Sequence, residues 1–256
     1  MDGEQIKDMV RSHYAAVAVG NAGCCGPAAT PQQASCEMGY SEAELASVPE
    51  GADLGLGCGN PQALAAMRPG EVIVDLGSGA GFDCFLAAQQ VGRHGRVIGV
   101  DMTHEMLSKA RDNAARAGFA NVEFRLGEIE HLPVGDNTAD VVISNCVINL
   151  VPDKEQVYRE ALRVLKPGGR IAISDVVNLA PLPAELACDE ALLCGCVAGA
   201  ATPGQIENWL RSTGFTEVRI TAKAESRELV KTWAPGRRIE DYVASASIEA
   251  RKPKSA

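Results

Sequence analysis

Cys146 stands in the run Ser144-Asn145-Cys146-Val147-Ile148-Asn149-Leu150-Val151-Pro152-Asp153, directly after a hydrophobic stretch of strand type. Two further cysteines, Cys58 and Cys196, lie in Gly-rich segments rather than in apolar core runs. Thiols are soft donors, so three of them around one guest select a soft, thiophilic substrate over a carbon, nitrogen or nucleic-acid one. Each also has a plainer reading, because buried cysteine packs as a small hydrophobe. That reading is preferred for Cys84 and Cys188. Cys194 and Cys196 are two apart and would point to different sides of a helix, so only one is expected to act. A structural zinc site would want paired Cys-x-x-Cys knuckles, and the chain has none.

The second chemical feature is the loop Asp75-Leu76-Gly77-Ser78-Gly79-Ala80-Gly81-Phe82-Asp83, between a predicted strand and a predicted helix. Glycine lets such a loop turn tightly and approach a ligand. Asp101 follows Gly77 by 24 residues, at the end of the next predicted strand, where it can accept from two ribose hydroxyls. A dinucleotide fingerprint would want its third glycine where Phe82 stands. Asp75 would repel a pyrophosphate but suits a cationic sulfonium or amino group. The loop therefore favours S-adenosylmethionine over NAD.

The elements that must position these residues follow from the pattern of apolar runs. Strands are expected over Val72 to Leu76, Arg96 to Asp101, Val122 to Leu126, Asp140 to Ser144, Arg170 to Ser174, Glu217 to Thr221 and Tyr242 to Ala250. Helices are expected at about Gln5 to Val19, from Asp83, at Thr103 to Ala117, Lys154 to Leu165 and Gln205 to Thr213. Continuous apolar strands alternating with helices predict a mostly parallel sheet covered on both faces. A helical insert rich in Ala, Leu and Cys is expected at Leu182 to Ala201. Gly20 to Pro61, dense in Gly and Pro, reads as a mostly irregular Cys-containing arm with a turn of helix near Ser41 to Val48. Glu225 to Asp241 carries no assignable pattern. The expected organisation is an N-terminal helix and Cys-containing arm over 1–62, an S-adenosylmethionine-binding Rossmann-like unit over 63–180, and a helical insert with completion of the sheet over 181–256.

The 256 residues carry a formal charge of −9 and 4% aromatic side chains, which argues against a phosphate-backbone or base-stacking partner. No run suits a membrane span or a signal peptide. A reducing cytoplasm is the expected compartment, where nine cysteines serve as reactive or ligating thiols rather than as a disulfide framework. His13, His94, His104 and His131 read as surface residues, and Asp153 and Lys154 as capping and solvating the next helix.

Asp75 to Gly81, with Asp101-Met102 and Gly127-Glu128-Ile129-Glu130-His131-Leu132-Pro133, resembles the class I S-adenosylmethionine-dependent methyltransferases over roughly Glu71 to Arg251. The resemblance implies a seven-stranded sheet with an antiparallel last strand. It places Gly77, Gly79 and Gly81 at the methionine portion and Asp101 at the ribose. It sets Met102 and Ile129 against adenine and gives the adenine amine to Glu128 or Glu130; Asp75, Ser78, Gly127 and Asn145 complete the expected cofactor set. Phe82 departs from the arginine often found in the family's loop. Within the superfamily, Gly55-Leu56-Gly57-Cys58-Gly59-Asn60-Pro61, the Asn145 to Asp153 run and Cys194-Gly195-Cys196-Val197-Ala198-Gly199-Ala200 are similar to the arsenite methyltransferases. That likeness implies trivalent arsenic held by Cys58, Cys146 and Cys196. It also implies an N-terminal thiol, Cys24 or Cys25, in capture or redox turnover, with a transient link to Cys58 and a reductant of glutathione or thioredoxin type. Cys36 is a third participant or a bystander. The rival readings are a carbon or oxygen methyltransferase of the quinone-biosynthesis type and a non-catalytic thiol protein that sequesters metalloid.

Overall fold

The computed structural model describes residues 2–20 and 30–254. The chain opens with α1 (Gly3–Ala18), started by a capping box in which Asp2 and Gln5 satisfy each other's backbone amides. Then come α2 (Pro31–Glu37), α3 (Glu42–Ser47) and α4 (Gln62–Ala65). The alternating part follows: β1 (Val72–Leu76), α5 (Phe82–Val91), β2 (Arg96–Asp101), α6 (His104–Ala117), β3 (Val122–Leu126), β4 (Ala139–Asn145), α7 (Lys154–Val164) and β5 (Leu165–Asn178). Next are α8 (Ala184–Ala187), α9 (Glu190–Cys194), α10 (Pro203–Thr213), β6 (Thr216–Ala222), α11 (Arg227–Trp233) and β7 (Val243–Arg251).

The strands form one seven-stranded sheet in the order β3-β2-β1-β4-β5-β7-β6. β1 to β5 pair in parallel, and β7 runs antiparallel between β5 and β6. The strands are apolar on both faces because helices cover both. Val74, Ile98, Val142 and Ile173 are fully buried in one layer, and Ile73, Val97, Val141 and Ala172 in the other. Each large aliphatic side chain buried this way contributes about 1.5–3 kcal/mol. The chain leaves β1 towards β2 and β3, then returns to the opposite side of β1 as β4. The carboxyl ends of β1 and β4 thus flank the switch point, where open α/β sheets bind ligands.

Two segments differ from the sequence reading. The arm carries the turn of helix expected near Ser41 to Val48, as α3, and also a second helix, α2, that was not expected. α2 and α3 each begin with a capping box, Thr30 with Gln33 and Ser41 with Glu44. Their reciprocal hydrogen bonds, with Pro31 preset for a first turn, outweigh the surrounding Gly and Pro. The unassigned stretch holds α11, whose Val230 is fully buried. The helical insert is two short helices, and α9 ends at Cys194, so Cys196 lies beyond the helix rather than on another face of it.

Candidate active site

The cleft over the ends of β1 and β4 is lined by Asp75, Gly77, Ser78, Gly79, Asp101, Met102, Gly127, Ile129, Glu130, Asn145, Cys146 and Cys196. Nearly every residue expected at the cofactor therefore faces one space. Gly77 has φ +70°, and a Cβ there would lie 2.4 Å from Val147 Cγ2. Only glycine fits so tight a turn against Val147, the residue that follows the thiol of Cys146. Asp101 Oδ2 accepts from the Gly79 amide (2.9 Å) and Oδ1 from the Thr103 amide (2.8 Å), which ties the loop to the next strand. The Ser78 hydroxyl is buried without a partner among the described residues.

Burial pushes the carboxyls of Asp75 and Asp101 above the usual range, and the neighbouring Asp83 adds to the effect at Asp75. Cys84, buried as expected, donates its thiol hydrogen to Asp75 Oδ2 at 3.2 Å. Buried acids with no salt-bridging cation among the described residues fit a positively charged guest. These acids, the partnerless Ser78 hydroxyl and the glycine turn together fit S-adenosylmethionine.

Three expectations shift in detail. Gly81 is not among the lining residues; a Cβ on it would meet Phe85 and Phe124 at 2.8 Å, so it serves helix–strand packing. Gly127 lines the cleft, but a Cβ there would strike Pro133 at 2.7 Å. Of the two acids proposed for the adenine amine, Glu130 is buried in the cleft wall. Glu128 pairs with Lys7 of α1 at 2.6 Å, and the same ammonium reaches Glu130 at 3.3 Å.

Asn145 does more than line the cleft. Its Oδ1 accepts from the Cys58 amide (3.0 Å), and its Nδ2 donates to the Gly59 carbonyl (2.8 Å) and the Tyr40 hydroxyl (3.0 Å). Tyr40 donates to Asp83 Oδ1 at 2.7 Å, and Gln62 Nε2 donates to the same oxygen at 3.1 Å. The network holds the Cys58 loop on the end of β4. A Cβ on Gly57 would lie 2.8 Å from the Asn145 amide, so that glycine permits the approach.

The thiols converge. The sulfurs of Cys58 and Cys146 and a carboxylate oxygen of Asp175 lie within 4.8 Å of one another. Cys196 donates its thiol hydrogen to the Cys146 carbonyl at 2.8 Å. Cys146 and Cys196 both have positive φ, 59° and 63°, a region that non-glycine residues seldom occupy. Strain of this kind costs about 1–3 kcal/mol per residue and concentrates at functional sites. For Cys146, the hydrogen bond with Cys196 and then burial push the thiol well up, and burial does the same for Cys58. Both are thiols, not thiolates, at neutral pH.

Asp175 is the residue the sequence reading missed. It is buried at the end of the parallel part of β5 and takes hydrogen bonds from the amides of Val176 (2.7 Å) and Ile148 (3.1 Å) and from Asn149 Nδ2 (2.9 Å). Burial raises its carboxyl to about 7. An acid inside the apolar run Ile173 to Val177 was the available signal.

The remaining cysteines divide. Cys194 is buried in the core beside the site. Cys188 is exposed, not buried as expected, because it sits just past the short α8. Cys36 is exposed on α2, and Cys24 and Cys25 lie outside the described residues. His94, His104 and His131 are at the surface, but His13 is half-buried, with Nε2 enclosed. Asp153 caps α7 through the Gln156 amide, as expected. Lys154 is half-buried and donates to the Val151 carbonyl at 3.0 Å.

A family model described as a methyltransferase domain matches residues 67–214. An arsenite methyltransferase of Halobacterium salinarum is 53% identical, over 98% of this chain and 68% of that protein. One from Aquipseudomonas alcaligenes is 47% identical over 64% of this chain, and the match spans about half of that relative, 49%. The crystal structure of an arsenic(III) S-adenosylmethionine methyltransferase from Chlamydomonas reinhardtii superposes with a TM-score of 0.60 at 33% identity, covering 89% of this chain and 75% of that one. Among the described residues no helix is long and apolar enough to cross a membrane.

Proposed function

The chain belongs to the arsenite methyltransferases, and on that premise we propose that it methylates trivalent arsenic held by Cys58, Cys146 and Cys196. The observation that carries the reading is the meeting of Cys58 and Cys146 sulfurs beside the cofactor cleft, which Cys146 lines, with Cys196 hydrogen-bonded to the Cys146 backbone. Three sulfurs satisfy trivalent arsenic in a pyramid and leave its lone pair at the apex, free to take a methyl group.

The protonated state of the thiols suits capture. Each S–H gives its proton to a departing hydroxide of arsenite as the S–As bond forms, so water leaves and no external base is needed. Asn145, Tyr40 and Asp83 hold the Cys58 loop in place, and Cys146 and Cys196 sit in strained left-handed backbone that lines the cleft. Asp75, Asp101, Ser78 and the Gly77 turn would hold S-adenosylmethionine, with Met102 and Ile129 at its base and Glu130 at the base's amine. That cofactor supplies an activated methyl group on a sulfonium. The protein's contribution is positioning, which can account for about 7–11 kcal/mol of a barrier.

Methylation formally oxidises arsenic by two electrons, which a dithiol or glutathione returns by thiol–disulfide exchange. The N-terminal pair Cys24-Cys25 is the proposed relay, one of the two linking transiently to Cys58. Incubation with arsenite, a dithiol and S-adenosylmethionine, followed by separation of arsenic species, is expected to yield methylated arsenicals. Full activity in Cys146→Ser would refute the thiol assignment.

A further inference from the structure

We propose that Cys58, Cys146 and Asp175 also form a binding site for a soft divalent cation, zinc or cadmium, and that Asp175 separates this use of the thiols from their use on arsenic. The second half rests on the arsenic reading above; the first half stands on geometry alone.

The three donor atoms lie within 4.8 Å of one another. A tetrahedral ion with Zn–S near ~2.3 Å and Zn–O near ~2.0–2.2 Å needs donors roughly 3.5–3.8 Å apart. Closing the difference takes about 1 Å, within reach of rotation at the two thiols. Asp175 need not move. The amides of Val176 and Ile148 and the side chain of Asn149 hold its carboxylate on the sulfurs. Ligating carboxylates are characteristically fixed by hydrogen bonds of this kind. Cys58 and Asp175 are buried, and Cys146 is half-buried in the cleft wall, which gives the ion its way in.

The charges also close. Binding forms two S–metal bonds and one O–metal bond and releases two protons to solvent. The ion's +2 meets −3 from two thiolates and a carboxylate, and the ammonium of Lys154, which acts on Asp175, brings the sum to zero. Arsenic has no comparable use for Asp175. A third sulfur completes its pyramid, and a carboxylate is a hard donor for a soft centre. A divalent d10 ion has no lone pair to accommodate and takes mixed sulfur and oxygen donors readily. Three protein ligands leave a fourth position to water, so this is an open site rather than a structural knuckle. An ion seated there would block arsenite competitively.

The test is titration of the full-length protein with Co2+ as a spectroscopic stand-in, without arsenite. One equivalent should give tetrahedral ligand-field bands with thiolate-to-metal charge transfer, erased by one equivalent of Zn2+. Asp175→Asn should weaken Co2+ and Zn2+ binding at least about tenfold, while arsenite binding by equilibrium dialysis stays within about threefold. Cys58→Ser and Cys146→Ser should lose both guests. X-ray absorption of the zinc-loaded wild type adds a readout that needs no variant to fold, and it should show sulfur and oxygen donors in one sphere. An all-sulfur sphere, no thiolate-bound cobalt in the wild type, or an Asp175→Asn variant that binds cobalt like the wild type would each overturn the proposal. None of these would touch arsenite methylation by the metal-free enzyme. Conversely, absence of that methylation would sink the arsenic reading and leave the cation site standing.

Discussion

The two ends of the sheet are built by opposite rules. At the amino ends of the strands, charges meet their counterparts. Arg170 grips Glu71 through Nη1 and Nη2, each at 2.8 Å, and also donates to the carbonyls of Ala65 and Ala66. Lys166 reaches Asp140 Oδ2 at 2.7 Å, and the same oxygen accepts from the Val72 amide. At the carboxyl ends, Asp75, Asp101 and Asp175 are buried with hydrogen bonds but, among the described residues, without a salt-bridging cation within 4 Å, and two cysteines sit in left-handed backbone. One end is finished for stability. The other keeps unmet charge and strain for a guest to relieve, so stability has been given up where binding happens.

That contrast can be broken by substitution. The largest effect is expected at the thiols: Cys58→Ser should lower arsenite methylation at least about a hundredfold, roughly 2.7 kcal/mol in transition-state terms. Binding of S-adenosylmethionine, measured by calorimetry, should be unchanged. Next, Gly77→Ala places a Cβ against Val147 in a backbone conformation alanine resists. It should weaken cofactor binding about thirtyfold, roughly 2 kcal/mol. At the opposite end, Glu71→Gln removes one half of a mostly buried ion pair and should cost about 1.5–3 kcal/mol in urea unfolding. Its turnover should match the wild type. A large loss of activity in Glu71→Gln, or a large loss of stability but not activity in Cys58→Ser, would erase the distinction between the two ends.

Acid and base sharpen it further, because the ends should answer in opposite directions. The Asp75 and Asp101 carboxyls are raised in the folded state, so the native protein binds more protons than the unfolded chain above their ordinary value of 3.8. Stability of the cofactor-free protein should therefore fall as pH rises from that value through their folded values. Saturating S-adenosylmethionine should flatten the slope in a series of thermal melts. Glu123, at the edge of the sheet, is instead held down to about 2 by Arg125 first and Arg96 second. Its contribution is present above pH 4.5 and is lost as pH falls through about 2. With its side chain 40% exposed and open to screening, that contribution is expected below about 1 kcal/mol, the smallest effect here. Equal acid stability of Glu123→Gln and wild type would show that it contributes nothing.

Much of this was legible along the chain. The apolar strand runs, the glycine turn and the Asn-Cys-Val-Ile-Asn run are local signals, each carried by neighbours in sequence. Of the arm helices, α3 was read near Ser41 to Val48, while α2 was legible in Thr30 with Gln33 but masked by the dense Gly and Pro around it. Tyr40, Asp83 and Lys7 were not, because their partners lie 43 residues away at Asp83, 105 at Asn145 and 121 at Glu128.

By itself, then, the order of residues determined the parallel sheet, its switch point and the kinds of atom that would gather there. Those follow from short-range periodicity and from which backbones a glycine permits. Only the tertiary structure decided that Asn145 holds the Cys58 loop, that Gly81 packs against Phe85 and Phe124, and that Asp175 stands beside the sulfurs. Such facts depend on which distant segments share a strand end, and that is settled when the whole core closes, not by any local preference.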